Sequence, residues 1–356
     1  MIFSKGEGRS RCPEGIIVQM YTMKLHHRLR RFFRFVLTTV FISGWMFMLL
    51  PYLIPLTAGS QTFFEKPFPE SRYLRMFGTW VHYRTFEPRN DSNAKPVFLV
   101  HGFSGSTFSW RYTIPALLNS GYSVTAIDLP PFGFSDKRRS ANVCDSIWPD
   151  MIAAVMDVVS FERRMGQEQW ILIGHSMGGM VIGAFATEYP SYSRALVYVD
   201  GTSPDSDGKR PFSLRAAGSI LRLGFIQRWA DVAMEQFIFN EKRFTDLLRS
   251  AYGKDPDADA VQGYMRPFSF YGSASSIFRF SSNAGFARVD HRLLQSKPRL
   301  LLWGEKDSWI PVEGGRNFIK ANPDVEGYFF PEAGHCPMET HSEEFNSILI
   351  SWLNEL

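Results

Sequence analysis

The apolar positions of this 356-residue chain change their rhythm three times. Phe35 to Leu56 is a run of 22 residues without a charge. A helix needs about 20 such residues to cross the hydrocarbon core of a bilayer, whereas a surface helix of a soluble domain keeps a polar face. The run therefore predicts a membrane-spanning helix. From residue 72 the pattern turns into short apolar runs separated by helical periodicity. Arg72 to Glu87 alternates loosely, most clearly at Trp80–Arg84. Val97–His101, Ser123–Leu129, Trp170–Ile173 and Ala195–Val199 read as strands, with helical patterns at Trp110–Asn119, Ile147–Met165 and Met180–Glu188. Strands alternating with helices mark a parallel sheet, because a parallel pair needs a crossover between its members. From 203 to 290 no clear strand is visible. Helical patterns at Leu214–Leu223, Phe225–Phe239 and Lys242–Ala251 take over, with fourteen aromatics between Phe212 and Phe286. The rhythm resumes with strands at Arg299–Trp303 and Val325–Phe330 and helices at Gly315–Ala321 and Ser342–Leu353. The interruption reads as a helical lid.

This divides the chain into an arm (1–34), disordered over 1–23; a transmembrane helix (35–56); a linker (57–71); an α/β core (72–202 and 291–356); and a helical cap (203–290). Charge sharpens the picture. Residues 1–34 carry eight Lys and Arg against Glu7 and Glu14, a net of +6, so the other 322 residues hold −2 of the chain's total of +4. The body is thus not a basic surface that grips nucleic acid. Five Lys/Arg lie within 24–34 and only Lys66 within 57–71. The positive-inside rule then puts the N-terminus in the cytosol and the rest of the chain across the membrane. The alternative is a cleaved signal peptide, with Ala58-Gly59-Ser60 as its small-residue site, and a secreted product. The three cysteines, Cys12, Cys144 and Cys336, are too few and too scattered for a disulfide framework or a zinc site.

The chemistry is signalled at Trp170-Ile-Leu-Ile-Gly174-His175-Ser176-Met177-Gly178-Gly179. A strand that turns sharply into a helix leaves no room for bulk two residues either side of the turn, which suits Gly174 and Gly178. The turn pushes the Ser176 hydroxyl out of the sheet and sets the next N–H at a helix N-terminus. A serine nucleophile needs a base, and His335 lies in a loop just after the last strand. The base needs an acid to hold its tautomer, and Asp307 ends Gly304-Glu-Lys-Asp307 after the preceding strand. Asp200, which also ends a strand, is the other candidate. An oxyanion needs two N–H donors. Met177 supplies one, and Phe103, in the loop after Val97–His101, is the candidate for the second. His101 and His175 flank the site and are expected to pack; Asp128 is expected to brace its loop.

Taken together, the ordered motifs resemble the α/β-hydrolase fold superfamily, in its lipase/esterase, C–C hydrolase and cofactor-free haloperoxidase-like branch. They are His101-Gly102-Phe103 with Trp110 downstream, Asp128-Leu-Pro-Pro-Phe-Gly133-Phe-Ser135, Gly174-His-Ser176-Met-Gly178, Gly304-Glu-Lys-Asp307 and Gly334-His335-Cys-Pro-Met-Glu339. They cover about residues 72–356. Within that branch the chain is similar to membrane-anchored hydrolases with one N-terminal helix. Pro131 departs from the Gly common in the Asp-x-Pro-Gly loop. The nucleophile is Ser rather than Asp, which removes the alkyl-enzyme chemistry of epoxide hydrolases and haloalkane dehalogenases. The resemblance implies an α/β-hydrolase fold: a mostly parallel central sheet flanked by helices, with a helical cap and an N-terminal transmembrane helix. It implies a serine hydrolase acting on apolar carboxylic esters through Ser176, His335 and Asp307, with Phe103 and Met177 as oxyanion donors and no metal or organic cofactor. Amide or C–C bond hydrolysis on the same triad, and a non-catalytic membrane-tethered binding module, are the alternatives. The expected partners are a small apolar ester and the lipid bilayer, through residues 35–56.

Overall fold

The computed structural model describes residues 14–56, 66–89, 94–138, 145–164, 169–202, 223–270, 272–283 and 289–356. The chain divides into two units, Met1–Ile54 and Pro55–Leu356. The described residues of the first form one helix, α1, Glu14–Leu53. It starts nine residues earlier than the disordered arm was expected to end, because a nucleated helix adds residues at little cost and no proline interrupts residues 14–23. It stops at Leu53 rather than Leu56, since Pro55 disfavours helical backbone at Ile54. Met23–Leu53 is long and apolar enough to cross a membrane, a test that a signal sequence near an N-terminus also passes.

The second unit is built on an eight-stranded sheet in the order β1-β2-β4-β3-β5-β6-β7-β8. The strands are β1 (Ser71–Met76), β2 (Thr79–Phe86), β3 (Pro96–Val100), β4 (Ser123–Asp128), β5 (Trp170–His175), β6 (Ser193–Val199), β7 (Arg299–Gly304) and β8 (Val325–Phe330). β1, β2 and β4 pair antiparallel, and β4 through β8 are parallel. The loose alternation after Arg72 is thus a hairpin, turned at Phe77-Gly78 with both φ angles positive (51° and 76°). That geometry matches the twist of the two strands. Ser71, assigned to the linker, is the first residue of β1, where pairing with Arg84 draws it into the sheet.

The central strands β3, β4, β5 and β7 are buried at every position, as expected for strands covered by helices on both faces. Helices α2 (Thr113–Asn119), α3 (Trp148–Glu162) and α4 (Met177–Glu188) provide that cover. α4 begins three residues before the expected Met180, because Gly178 and Gly179 blank the apolar pattern without breaking the helix. Between β6 and β7 the described residues form α5 (Gly224–Ala233), a π-helical turn at Met234–Ile238, α6 (Glu241–Tyr252), α7 (Ala258–Met265) and α8 (Ser273–Asn283). The single helix expected over Phe225–Phe239 is therefore interrupted at Met234. Asn240 caps α6 by accepting the Arg243 N–H at 3.0 Å. Gly253 closes that helix in the left-handed conformation. The pattern at Leu214–Leu223 lies outside the described residues except for Leu223, which precedes α5.

Candidate active site

The carboxyl ends of the parallel strands converge on Ser176. Its backbone sits at φ 52° and ψ −118°, between the last residue of β5 and the first of α4. A non-glycine residue held there stores of order 1–3 kcal/mol of strain, which the surroundings must over-determine. They do so by close packing of backbone on backbone. A Cβ at Gly174 would lie 2.3 Å from the Gly178 carbonyl oxygen, and one at Gly178 would lie 2.3 Å from that of Val100. Ser176 N donates to Val199 O at 2.8 Å, tying the turn to β6.

His335 and Asp307 arrive on the loops after β8 and β7. His335 is 2% exposed, and its backbone N–H donates to Ala251 O at 2.7 Å, so the end of α6 fixes this loop. Its Nδ1 lies 2.6 Å from Asp307 Oδ2. Asp307 Oδ1 accepts the N–H groups of Trp309 (2.8 Å) and Ile310 (2.9 Å). Asp200 instead takes the Gly304 N–H on its Oδ1 at 2.8 Å. One donor atom each from Asp200, Asp307 and His335 lies within 4.8 Å of the others. Ligands on a tetrahedral zinc at about 2.0 Å stand roughly 3.3 Å apart. The 2.6 Å separation is that of a hydrogen bond.

Phe103 follows β3 and lines the cavity above Ser176. Its N–H makes no backbone hydrogen bond among the described residues. Met177 is the first residue of α4, where an N–H has no intrahelical acceptor and the helix dipole favours negative charge. The cavity has a volume of about 340 Å³ and holds Ser176 and His335 together. Phe239, Phe244, Leu248 and Phe268 from the cap face Phe103 and Trp309 from the core across it. The described lining residues include no Lys, Arg, Asp or Glu.

The neighbouring polar groups have structural assignments. His101 accepts the Leu129 N–H on Nε2 at 3.0 Å and donates from Nδ1 to Gly102 O at 2.7 Å, so it joins the loops after β3 and β4. Burial holds it below its ordinary pKa, and the ring is neutral. His175 is pushed well down by burial and then by the His335 charge. It donates from Nε2 to the His335 carbonyl at 2.7 Å and packs its ring 4.9 Å from that of His335. Burial alone would raise Asp128, but His82 and the Phe134 N–H outweigh it and lower the carboxyl. Asp128 accepts from Thr107 N at 2.6 Å and Phe134 N at 2.7 Å, bracing its loop as expected. With His82 and Ser71 it forms a second Ser–His–Asp array, at 2.7 and 2.8 Å. All three are at most 1% exposed, so no substrate reaches that serine.

Sequence reasoning missed the group around Glu339. This carboxylate pairs with Arg111 and accepts from Tyr252 at 2.7 Å and Tyr264 at 2.5 Å. Tyr264 also meets Ser109 at 2.9 Å and lines the cavity. Burial, then the Glu339 charge, pushes both phenols up, so both keep their protons and donate. The cap helices α6 and α7 are thereby held to the loop that carries His335. The only sequence signal was the acid four residues after His335. Cys336, a free thiol in the described structure, also lines the cavity; Cys144 lies outside the described residues.

The fold and its relatives are those of a hydrolase. The chain belongs to the alpha/beta hydrolase fold family, whose model matches residues 95–342. It is 26% identical over 274 residues to the uncharacterized hydrolase YugF of Bacillus subtilis, covering 76% of this chain and 93% of that protein. It is 27% identical over 290 residues to a 2-hydroxy-6-oxononadienedioate/2-hydroxy-6-oxononatrienedioate hydrolase of Paraburkholderia phymatum, covering 77% and 91%. Among solved structures, a probable hydrolytic enzyme from Pseudomonas aeruginosa PAO1 superposes with a TM-score of 0.63 at 20% identity, covering 84% of this chain and 98% of that one. At that identity the likeness shows the fold.

Proposed function

We propose that the protein is a serine hydrolase that cleaves carboxylic esters with an apolar acyl or aryl group. The observation that carries this reading is the cavity lined by both Ser176 and His335, with no charged side chain among its described lining residues. His335 Nε2 takes the Ser176 proton while Asp307 holds Nδ1–H, and Ser176 Oγ attacks the ester carbonyl. The Phe103 and Met177 N–H groups receive the oxyanion. His335 returns the proton to the leaving alcohol, and water then releases the acyl group by the same steps. The relative from P. phymatum is named for a dienedioate, a dicarboxylate. Such a dianion would enter this cavity without a counter-charge from any described lining residue, a desolvation cost of several kcal/mol. That favours a neutral substrate over C–C cleavage of a dicarboxylate.

The test is kcat/KM over aryl esters of two to sixteen carbons, with detergent controls, beside the dienedioate. Each buried CH₂ contributes about 0.8 kcal/mol, so kcat/KM rises with acyl length until the cavity is full. A profile that peaks at acetate and declines, or a preference for the dienedioate, refutes the reading. Ser176→Ala leaves the fold intact and abolishes turnover; a folded variant keeping more than a few per cent of the activity removes the nucleophile assignment.

For α1 we propose an uncleaved anchor with the catalytic unit on the non-cytosolic side, supported by its length and the basic block before it. Retention through carbonate extraction, with protease access from the non-cytosolic side, checks this. A mature N-terminus near Gln61 establishes a cleaved signal peptide instead.

A further inference from the structure

Asp200 takes no part in the steps above, yet it stands against the triad. It follows β6 in the left-handed region (φ 44°) and is fully buried. Its Oδ1 accepts one N–H, from Gly304, and its buried Oδ2 meets no donor among the described residues. One oxygen of this carboxyl, one of Asp307 and a ring nitrogen of His335 lie within 4.8 Å of one another. Two buried carboxylates this close do not both stay ionised unless each has its own counter-charge. Asp307 is the better anion, since it accepts from His335, Trp309 and Ile310, three donors against one. A proton on Asp200 also turns its carboxyl, whose Oδ2 is an acceptor without a donor, into a donor beside the Asp307 anion.

We propose that Asp200 is protonated in the working enzyme and donates a hydrogen bond to the Asp307 carboxylate, acting as a positioning residue for the triad acid. The proposal rests on the Ser176–His335–Asp307 reading. The Asp200 proton does not move during turnover. It pins the Asp307 carboxylate and draws off part of its charge, so that Asp307 orients His335 without taking its proton.

Burial, then the Asp307 charge, holds the Asp200 carboxyl well above its ordinary range, against one opposing N–H from Gly304. Among the described residues, the other titratable groups near the pair are His335 and Cys336 on the loop after β8, with the His175 ring packed against that of His335. Cys336 is pushed up, by burial first, and stays a thiol; His175 is pushed down and stays neutral. The acid pair thus presents one negative charge to the His335 ring as it takes the Ser176 proton.

The experiment is the pH profile of kcat/KM for an aryl butyrate, using the full chain in detergent, for wild type, Asp200→Ala and Asp200→Asn. Asparagine reproduces a protonated aspartate: its oxygen accepts from Gly304 and its amide donates to Asp307. Asp200→Ala lowers kcat/KM about tenfold and moves the midpoint of the acid limb upward, because an unshared Asp307 charge stabilises the His335 cation more. Asp200→Asn rescues most of that loss and returns the midpoint to within about 0.3 units of wild type. If Asp200 is ionised in the wild type, Asp200→Asn removes a negative charge beside His335 and the midpoint falls by about one unit or more, which overturns the proposal. Equal profiles for all three proteins overturn it as well. Should Asp200→Ala not fold, the direction of the Asp200→Asn midpoint decides alone. Failure of the triad itself is read separately, from loss of fluorophosphonate labelling in Ser176→Ala: labelling that persists there sinks the nucleophile rather than the role of Asp200.

Discussion

Gly178→Ala asks how closely the elbow is packed. The new methyl lies 2.3 Å from Val100 O and 2.8 Å from His101 O, and side-chain Cβ atoms essentially never approach within 3.0 Å of another heavy atom. Both obstacles are backbone, at the end of a fully buried central strand, so no rotamer change relieves them. The start of α4 must retreat by at least about 0.7 Å, and overpacking of this kind costs roughly 1–3 kcal/mol of stability. Ser176 Oγ and the Met177 N–H move with α4. The Phe103 N–H stays with β3. The two proposed oxyanion donors therefore part by a large fraction of an ångström, and a misplacement of about 1 Å costs on the order of 10² in rate. The assay is steady-state kcat and KM on an aryl ester, with the rate of fluorophosphonate labelling and a thermal melt on the same sample. The expectation is a loss of about 10² in kcat with KM little changed, since the cap side of the cavity is untouched. Gly263→Ala is the control: its methyl would meet Phe108 Cζ at 2.1 Å, the far end of a side chain in which rotation gives relief. A Gly178→Ala enzyme within about threefold of wild-type kcat, or a Gly263→Ala enzyme equally impaired, refutes the argument.

Two further outcomes follow from buried charges. Asp307→Asn places a donor against His335 Nδ1, inverts the tautomer and lowers kcat by about 10⁴; a loss under tenfold would transfer the role to another acid. Lys137 is buried and donates to Gly133 O and Ser135 O, and burial lowers its pKa from 10.5 to about 8 against the pull of Asp128 and Asp136. Between those values the unfolded chain holds a proton that the native state does not, so this residue's penalty is full below pH 8 and fades as pH rises toward 10.5. The stability of wild type relative to Lys137→Met, from denaturant melts in detergent, therefore rises by about 3 kcal/mol across that window; a constant or falling difference contradicts the assignment.

Strands β3 to β8, the elbow and the placing of Ser176, Asp307 and His335 just beyond strand ends were legible because each is a local pattern. The runs of β3, β5 and β7 end at Gly102, Gly174 and Gly304, and Phe103, Ser176 and Asp307 stand one to three residues beyond. Several boundaries were not legible. α4 hides its first turn in two glycines, α5 passes into a π turn without a sequence break, and α1 extends through weakly patterned residues back to Glu14. The polar contacts across the site were invisible for a different reason. Glu339 draws on Tyr252 and Arg111, 87 and 228 residues away, and Asp200 meets its neighbours only through the order of strands in the sheet.

By itself the chain determined a doubly covered parallel sheet, because strands apolar at every position can be buried only between two helical layers. It also marked Ser176 as standing on a tight turn, since Gly174 answers to the Gly178 backbone four residues on, whereas Gly178 answers to Val100 on a neighbouring strand. Only the tertiary structure decided that His335 Nδ1 bonds to Asp307 while Asp200 is left beside it with an unmatched oxygen. Both acids end strands and both read alike in one dimension. What separates them is which one the sheet sets against His335 Nδ1, a placement made by the order of strands and not by any spacing along the chain.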